Sequence, residues 1–513
     1  MAFYVVDNAT LKADKTHHYR GRHPYFSANS SAPSHHFVES LGDHRVLRFA
    51  SRRKVRRYLG EVNDADPSSR PTFDARDEHR VFEALPLIED MPHPVDSWST
   101  FIRRASSYEP MFRFILNDRV ALWLNDVSLM RSVLKAPFSH VGLGPLIRGF
   151  ETAGGLGNAL TVNYGDSWRP RHKILQHPLT HKGVRALGPL LQESLRSSIA
   201  AWSPGKTFNP NPLMTSLILD ALGSTLFSGD HREFVDVIHA FDVERNLAFV
   251  YISQDPAYVP SDRSEFAVAL RNLDTFIYAM IAARRQAPKD DLLSRILSAT
   301  TADEDTLSDL NLRDEVVGLI YAGHKTTANT LAFASCLLAR YPDVQRALAD
   351  EVAPIAGSMF FHEQFEDAAP LASAIITETL RMFPVGDLID RTVVGPFALD
   401  GVQLPQGLPI LFSTWIPHHA PDVFESPDSF SPARCQKGWT TAAQKDSYLP
   451  FSTGPKVCLG VHLANYEAAL AMSLIVERWS LSPADRSDLH LAHDPLLYAD
   501  PWPPLTLAPR QSQ

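Results

Sequence analysis

One cysteine of the sequence stands in a setting suited to metal binding as a thiolate. Cys458 closes the segment Phe451-x-x-Gly454-x-x-x-Cys458-x-Gly460 and directly precedes a predicted helix. Because amide groups at a helix N-terminus favour the thiolate, we expect the pKa of the Cys458 thiol to be lowered. The segment carries no set of cysteine and histidine ligands at zinc spacing, and a single soft ligand suits one axial bond to iron. A buried free thiol is the alternative.

A second candidate segment, Ala322–Thr327 with the sequence Ala-Gly-His-Lys-Thr-Thr, lies in the middle of a long helical pattern. Glycine inside a helix costs ~1 kcal/mol relative to alanine, so its presence needs a reason. A missing side chain lets a large group approach the backbone, and adjacent threonines can bond back to helix carbonyls. Taken alone, the segment also fits a kinked core helix.

An acidic and a basic residue form a third candidate pair. Glu378 and Arg381 are three positions apart in another helical pattern, so both lie on one face, among apolar neighbours. A buried ion pair is costly unless it is fully hydrogen-bonded, which would make this one a specific structural device. An isolated Glu-x-x-Arg is also a common surface pair, and that is the alternative.

Mostly helical elements must position these residues. The clearest predicted helix runs from Leu312 to Arg340, with Asn311 as its N-cap and Tyr341-Pro342 as its stop. Its faces are apolar nearly all round, so we expect this helix to be buried. Most of 165–380 has a helical pattern. The other predicted elements are helices at Glu366–Arg381 and from Gly460 to Arg478, strands at Met111–Ile115 and Val120–Trp123, strand-like sequence from Arg391 to Trp415, and extended chain at Pro86–Pro94.

The composition excludes several classes of protein. The chain has 513 residues, of which 44% are hydrophobic and 21% charged, so it is neither disordered nor collagenous. Its three cysteines are too few for a disulfide framework. A formal net charge of -9 argues against a dedicated nucleic-acid binder. A globular protein without structural disulfides is the expectation.

The N-terminal part differs from the rest of the chain. Residues 1–80 contain a basic cluster within Arg45–Arg57, for which we expect a solvated helix face. Contact with anionic lipid and a transit peptide are the alternatives. Met1–Val6 is apolar but too short for a signal peptide or a spanning helix. We therefore expect a cytoplasmic protein or one peripheral to a membrane, without a transmembrane anchor.

From about residue 85 to residue 510 the sequence resembles the cytochrome P450 family, the haem-thiolate monooxygenases. Phe451–Gly460 resembles the family's haem-binding loop, and Ala322–Thr327 resembles its oxygen-binding helix segment. Further motifs in the family's order are Glu378-Thr-Leu-Arg381, Pro432-Ala-Arg434 and Trp168-Arg-Pro-Arg-His172. Each motif is weak alone, but their common order and spacing make a chance match remote.

The resemblance implies a mostly α fold with a minor β region. It implies one large catalytic domain at 85–513, preceded by an extension of unknown role at 1–84. The implied cofactor is haem b (iron protoporphyrin IX), with Cys458 as the axial thiolate and metal ligand, which favours cleavage of the O–O bond. Thr326 would hydrogen-bond dioxygen or an ordered water, and Gly323 would leave room for oxygen.

Further roles follow from the same resemblance. Glu378, Arg381 and Arg434 would form a structural ion-pair triad behind the haem. Trp168 and His172, four positions apart, would both face one haem propionate. The remaining residues implied to bind the cofactor or shield its thiolate are Arg391, Lys456, Phe451, Gly454 and Gly460.

Three positions depart from the family pattern. His172 stands where arginine is usual, and it still donates a hydrogen bond. Lys456 replaces the usual arginine or histidine, which keeps the charge but loses the planar fork. Lys325 stands where the family usually has an acid that relays protons, and a cation cannot relay in the same way unless its pKa is depressed. We expect proton delivery to proceed through Thr326 and water.

Substrate contacts are expected in the variable parts of the family. The resemblance implies the 138–165 loop, two residues of the long helix and a segment after the Glu-x-x-Arg. Asp387 in that segment is a candidate for binding a cationic or hydroxylated substrate, and a surface loop position is the alternative. The candidate substrate-contact residues are Ile320, Ala322, Val385, Asp387, Leu388 and Ile389.

The implied reaction is monooxygenation of a small organic molecule, a specialised metabolite or lipid-like compound, with O2 as co-substrate. No flavin or iron–sulfur motif accompanies the catalytic motifs, so we expect a separate electron donor, either a ferredoxin or an NADPH reductase. A basic docking face for this donor is a hypothesis for Arg169, Arg171, Lys173 and Lys182, and an ordinary charged helix surface is the alternative. Lys325 sustains the rival prediction, a haem-thiolate isomerase, dehydratase or peroxygenase that needs no reductase. A non-catalytic haem sensor is a third reading, against which Thr326 argues.

Overall fold

The structure is a computed structural model. It describes residues 82–88, 98–116, 119–145, 147, 155–228, 232–254, 264–302, 307–355, 368–494 and 496–510. The basic cluster at Arg45–Arg57 and nearly all of the predicted 1–84 extension lie outside these residues, as do residues 89–94 of the predicted extended segment.

Helices dominate the described chain. They are α1 Trp98–Ala105, α2 Val127–Lys135, α3 Trp168–Gln176, α4 His181–Arg185, α5 Gly188–Ala200, α6 Pro210–Phe227, α7 Arg232–Gln254, α8 Glu265–Gln286, α9 Leu292–Ala302, α10 Asp309–Arg340, α11 Pro342–Val352, α12 Pro370–Met382, α13 Trp415–His418, α14 Ala442–Ser447 and α15 Val461–Arg478. Short 3-10 turns occupy Pro432–Arg434 and Gly454–Lys456.

The strands form a minor β region. They are β1 Met111–Leu116, β2 Arg119–Leu124, β3 Val141–Leu143, β4 Thr207–Phe208, β5 Leu388–Val393, β6 Phe397–Leu399, β7 Val402–Leu404, β8 Pro409–Ser413, β9 Trp479–Pro483, β10 Leu491–Asp494, β11 Leu496–Ala499 and β12 Leu505–Pro509. The largest sheet has the order β1-β2-β8-β5-β3. Its single parallel pair, β2 with β8, places Leu122 opposite Ile410 and so joins distant parts of the chain.

The long predicted helix is present as α10, but it begins three residues earlier than predicted. Its N-cap is Ser308, whose hydroxyl accepts from the Asn311 amide, and not Asn311 itself. The Asn311 side chain instead accepts a hydrogen bond from Arg171 of α3 at 2.9 Å. A long-range partner thus takes the side chain that local spacing had assigned to the cap.

The second predicted helix is shorter than expected. It begins at Pro370 and ends at Met382, one residue after the predicted end. The predicted start at Glu366 lies outside the described residues. Both oxygens of Glu351 accept from the Leu371 amide at 3.0 and 3.1 Å, which satisfies one N-terminal donor of this helix. A side chain from α11 therefore anchors the start of α12.

The central core surrounds α10. Its C-terminal half, from Ala328 to Ala339, packs with α5, α6, α12 and α15 in one apolar cluster. Its N-terminal half joins a second cluster with α3, α6, α7, α8 and α9. Burial on both halves explains why the sequence of α10 is apolar nearly all round. The helix thereby forms the axis from which the site is built.

One described helix, α8, is long and apolar enough to cross a membrane by length and composition. In the fold it packs on α7 and α10. Its buried residues Phe266, Ala269, Leu273 and Ile277 recur at spacings of three and four, as in the inner face of a core helix.

Candidate active site

The Cys458 loop is shaped by a helix that packs against it. Gly454 has φ +76°, and a Cβ there would overlap the carbonyl oxygen of Leu134 at the end of α2. Only glycine satisfies both conditions. The loop is closed by a hydrogen bond from the Cys458 amide to the Phe451 carbonyl at 2.9 Å. The cysteine is thus held two residues before the N-cap of α15, Gly460.

The side chain of Cys458 is exposed, although protein atoms also surround its thiol densely. Burial raises the pKa of the thiol, and the Gly460 amide at the start of α15 only partly opposes this effect. The expectation of a lowered pKa is therefore wrong for the protein alone. A bound metal cation would supply the charge that stabilises the thiolate.

Lys456 belongs to the Cys458 loop and connects it to the segment before α3. Its Nζ donates to the carbonyls of Leu160 and Asn163, both at 2.8 Å, and lies 5.5 Å from the centroid of the Trp168 ring. Burial, and then the charge of Arg391, lowers the pKa of Lys456 to about 7. Burial and the charge of Arg391 therefore both disfavour the protonated form of Lys456.

His172 and Arg391 complete this cationic cluster. The ring of His172 stacks on Trp168 with centroids 4.3 Å apart. Burial and then the charge of Lys456 lower the pKa of His172, which places the two groups close together. Burial also lowers the pKa of Arg391, although Asp390 opposes it, and Arg391 Nη1 donates to the Asp390 carbonyl at 2.8 Å.

These residues fit a haem. Lys456, His172 and Arg391 come from three elements, and burial lowers the pKa of each, so a nearby anion would stabilise them together. Two haem carboxylates are such anions. The accessible thiol of Cys458 is a soft donor of the kind that suits iron. Among the residues that the structure describes, no cluster of three or more His, Cys, Asp or Glu is arranged to hold a metal ion.

Glu378 joins two arginines in the interior. Arg381 donates from Nε and Nη2 to its two carboxylate oxygens at 2.8 and 2.9 Å, and Arg434 Nε donates at 2.8 Å. The amide of Ser431 adds a fourth donor at 3.1 Å. The pair of Glu378 and Arg381 is fully buried, so the surface alternative for this motif is wrong.

A histidine that the sequence analysis did not single out braces this triad. His418 is fully buried, and its Nδ1 lies 3.0 Å from the carbonyl of Arg381. Its Nε2 accepts from the amide of Leu449 at 2.8 Å, so Nδ1 carries the proton. The ring therefore joins α12 to the chain just before the Cys458 loop. Nothing in the local sequence around His418 indicates this role.

In α10 the Thr326 hydroxyl donates to the Ala322 carbonyl at 2.7 Å. The helix is continuous through this segment, from Asp309 to Arg340. A Cβ at Gly323 would meet only Leu222, at an ordinary 3.7 Å. The protein's own packing therefore does not require glycine at this position.

Lys325 faces a carboxylate from another helix. Its Nζ lies 3.6 Å from Oδ2 of Asp242 on α7. The same oxygen lies 2.7 Å from Nε2 of His324, a buried residue. The sequence gives no signal for the contact of Asp242 with Lys325, because neither spacing nor motif links positions 242 and 325.

Apart from Asp387, the candidate substrate-contact residues have apolar side chains. Ile320 and Val385 are buried, and Leu388 and Ile389 are half-buried. Ala322 is exposed on α10. Asp387 is not a surface residue: it is 1% exposed, its carboxylate accepts from Ser413 Oγ at 2.5 Å, and it lies 2.9 Å from His493 Nε2. Its charge is thus directed into a buried network.

The predicted basic face must also be corrected. Arg171 is buried, and its guanidinium contacts Glu315 at 3.1 Å and the Asn158 carbonyl at 2.5 Å. It therefore anchors α3 to α10 and cannot contribute to a docking surface. Arg169, Lys173 and Lys182 are exposed.

Comparison with known proteins agrees with this geometry. The family model for Cytochrome P450 matches residues 82–501. A cyclooctat-9-en-7-ol 5-monooxygenase of Streptomyces melanosporofaciens is 30% identical over 347 residues, which cover 65% of this chain and 75% of that protein. Pentalenene oxygenase of Streptomyces avermitilis is 26% identical over 341 residues, covering 65% of this chain and 76% of that protein.

A solved structure shares the fold. The heme domain of cytochrome P450DA superposes with a TM-score of 0.71 at 21% identity, covering 84% of this chain and 99% of that one. The predicted mostly α fold with a minor β region is confirmed.

Proposed function

The chain belongs to the cytochrome P450 family and is a haem oxidoreductase of the monooxygenase type, and we propose that its cofactor is haem b held by Cys458. The observation that carries this proposal is the accessible thiol of Cys458 in a loop beside the cationic cluster of Lys456, His172 and Arg391. When bound, the haem supplies the activation of dioxygen. The residues of this chain hold the haem, exclude water and manage protons.

Each residue has an assigned part. Cys458 would bind the haem iron through its sulfur, and Lys456, His172, Arg391 and Trp168 would hold the haem carboxylates. Phe451 packs beside the thiolate, while Gly454 and Gly460 shape the loop. Glu378, Arg381 and Arg434 fix the chain behind the loop. Thr326 would position a proton or water beside the bound cofactor, and Gly323 would leave space there.

We further propose an apolar, largely hydrocarbon substrate. Since Asp387 is engaged by Ser413 and His493, the assigned contacts at Ile320, Ala322, Val385, Leu388 and Ile389 offer no free charge. An apolar lining selects apolar ligands through burial. The relatives named for cyclooctat-9-en-7-ol and pentalenene support this class, because those names denote unsaturated hydrocarbon skeletons.

A separate protein is proposed as the electron donor, either a ferredoxin or an NADPH reductase. The exposed Arg169, Lys173 and Lys182 on α3 and α4 form a basic surface suited to an acidic partner. We assign the catalytic domain to residues 85–513 and an extension to residues 1–84. We propose a cytoplasmic location, with peripheral membrane contact through the cluster at Arg45–Arg57 as the alternative.

The haem assignment is tested by spectroscopy of the reduced protein with carbon monoxide. We expect the red-shifted Soret band of a thiolate-bound haem in the wild type and its loss in Cys458→Ser. Cys435→Ser is the matched control, because Cys435 is a buried thiol bonded to the Ala374 carbonyl. An identical spectrum for wild type and Cys458→Ser contradicts the assignment.

A reductase-independent reaction, such as isomerisation, dehydration or peroxygenation, is the second candidate. Lys325 in place of an acid favours it. Turnover with a reductase system and NAD(P)H is compared with turnover on peroxide alone. We expect product with the reductase system, and product only with peroxide or with neither would favour the second candidate.

A further inference from the structure

Asp242 of α7 brings a carboxylate to the segment of α10 that lacks one. The fold packs α7 on α6 and α8, and Asp242 reaches from it to two consecutive residues of α10. Its Oδ2 is 2.7 Å from His324 Nε2 and 3.6 Å from Lys325 Nζ. The side chains of His324 and Asp242 are 1% and 14% exposed, so water screens their interaction weakly.

The hydrogen bonds of His324 fix how many protons the cluster holds. Nδ1 lies 2.7 Å from the Ile320 carbonyl, which only accepts, so Nδ1 carries a proton. At 2.7 Å, Nε2 and the Asp242 oxygen also need a proton between them, because two facing lone pairs would repel. The ring and the carboxylate therefore share two protons.

The charge of Lys325 determines whether the second proton lies on His324 or on Asp242. Its ammonium group lies near the same oxygen of Asp242 and stabilises the ionised carboxylate. The His324 ring is then an imidazolium, and both it and the Lys325 ammonium group lie beside the Asp242 carboxylate. The carboxylate in turn directs the Lys325 charge toward α7, one residue before Thr326.

We propose that Asp242 is a positioning residue for oxygen activation, which supplies from α7 the carboxylate missing at position 325 and holds His324 doubly protonated. This inference rests on the proposed function. Insertion of one oxygen consumes O2, two electrons from the donor and two protons, and yields the hydroxylated product and water. The cluster keeps a proton and a fixed charge arrangement beside the Ala322–Thr326 turn while those protons are delivered.

The first test is a magnetic resonance measurement of the ring protons. Histidine labelled with 15N is observed in the holoenzyme near neutral pH, and His324 is assigned by its absence in His324→Gln. We expect two N–H groups on the His324 ring in the wild type. We expect one in Asp242→Asn, since an amide can donate to Nε2 of a neutral ring and keep the contact.

The second test measures peroxide released per NAD(P)H consumed, together with the solvent isotope effect on turnover. In Asp242→Asn we expect product formation to fall on the order of tenfold, below the usual effect of removing a direct acid or base, and peroxide to rise. Glu244→Gln is the matched control, because it removes a like charge from the same helix two residues away.

Two results overturn the proposal. One is a single ring N–H on His324 in the wild type. The other is an Asp242→Asn variant with the coupling and isotope effect of wild type. Failure of the proposed function is separately visible, because it abolishes the thiolate haem spectrum in wild type, whereas the ring protons are read without any turnover.

Discussion

Arg381 grips the carboxylate of Glu378 with two nitrogens, at 2.8 and 2.9 Å, and neither side chain is exposed. The two residues are one helical turn apart on α12, so the local geometry of the helix sets this fork. Arg434 and the Ser431 amide add two donors to the same carboxylate. Every oxygen of the buried acid is therefore satisfied, which is the condition for tolerating such a charge.

Removal of the negative charge of Glu378 is expected to destabilise the fold strongly. Glu378→Gln leaves two arginines facing one neutral amide, and we expect a loss of about 3–5 kcal/mol in the free energy of unfolding. Chemical denaturation measures this loss, and the haem content of purified protein reports on the loop. Asp343→Asn is the control, since its pair with Arg346 is exposed and should contribute under about 1 kcal/mol. Equal losses in both variants would contradict the assignment of the triad.

The Gly454 turn is expected to tolerate no side chain. Gly454→Ala adds left-handed backbone strain and a clash with the Leu134 carbonyl, so the loop must shift. The control is Gly407→Ala, where φ is +86° but a Cβ meets nothing within 4 Å. We expect about 1–2 kcal/mol of destabilisation in the control, from strain alone. In Gly454→Ala we expect a larger loss and a weakened thiolate haem spectrum, and equal effects would show that α2 does not constrain the loop.

Two adjacent histidines should make the protein sensitive to acid. Burial lowers the pKa of His418, and it lowers the pKa of His419 to about 4. Since both rings are neutral in the fold and charge on unfolding, stability is full above pH 6.5 and falls as the pH drops from 6.5 toward 4. For half-buried His419 we expect about 1–2 kcal/mol over this range after allowance for solvent screening.

The variant His419→Gln tests this expectation through the slope of thermal stability against pH. Its stability should fall less steeply between pH 6.5 and 4 than that of wild type. His177→Gln, at an exposed position, should retain the wild-type slope. Parallel slopes in wild type and His419→Gln would contradict the assigned burial effect.

A buried acid on α15 is expected to act in the opposite direction. Burial raises the pKa of Glu467 to about 8, so the fold holds its proton while the unfolded chain releases it. This group therefore destabilises the fold increasingly as the pH rises from 4.5 to 8. We expect Glu467→Gln to gain about 1–3 kcal/mol at pH 7, measured by urea denaturation.

The control for this gain is Glu477→Gln on the same helix. Glu477 pairs with Arg196 near the surface, and its removal should cost no more than about 1 kcal/mol at any pH. If the difference between Glu467→Gln and wild type does not grow between pH 5 and pH 8, the raised pKa is refuted.

The sequence predicted the elements better than the partners of their side chains. Periodicity and stop signals located α10, α15 and the β1–β2 hairpin, because those signals are local. Arg171 was misplaced on the surface, since its partner Glu315 lies 144 residues away. For Asp387 the loop position is correct but the surface position is wrong, since Asp387 is buried beside Ser413 and His493.

The chemistry of the site shows the same division. The motif around Cys458 leads to the proposed ligand position, but the helix-terminus argument gives the wrong pKa direction because burial outweighs one amide donor. The sequence shows that Lys325 is unusual at its position. It does not show that Asp242 places a carboxylate oxygen 3.6 Å from the Lys325 ammonium group. Contacts between distant helices have no counterpart in local spacing.

The register of β2 against β8 has a consequence for biosynthesis. Leu122 pairs with Ile410, and the carbonyl of Leu134 packs against Gly454. Strand β2 and helix α2 therefore meet these partners only after most of the chain has been synthesised. Closure of such long-range contacts is slow. A nascent chain stalled before residue 410 lacks most of β8 and the whole Cys458 loop, so we expect it to bind no prosthetic group.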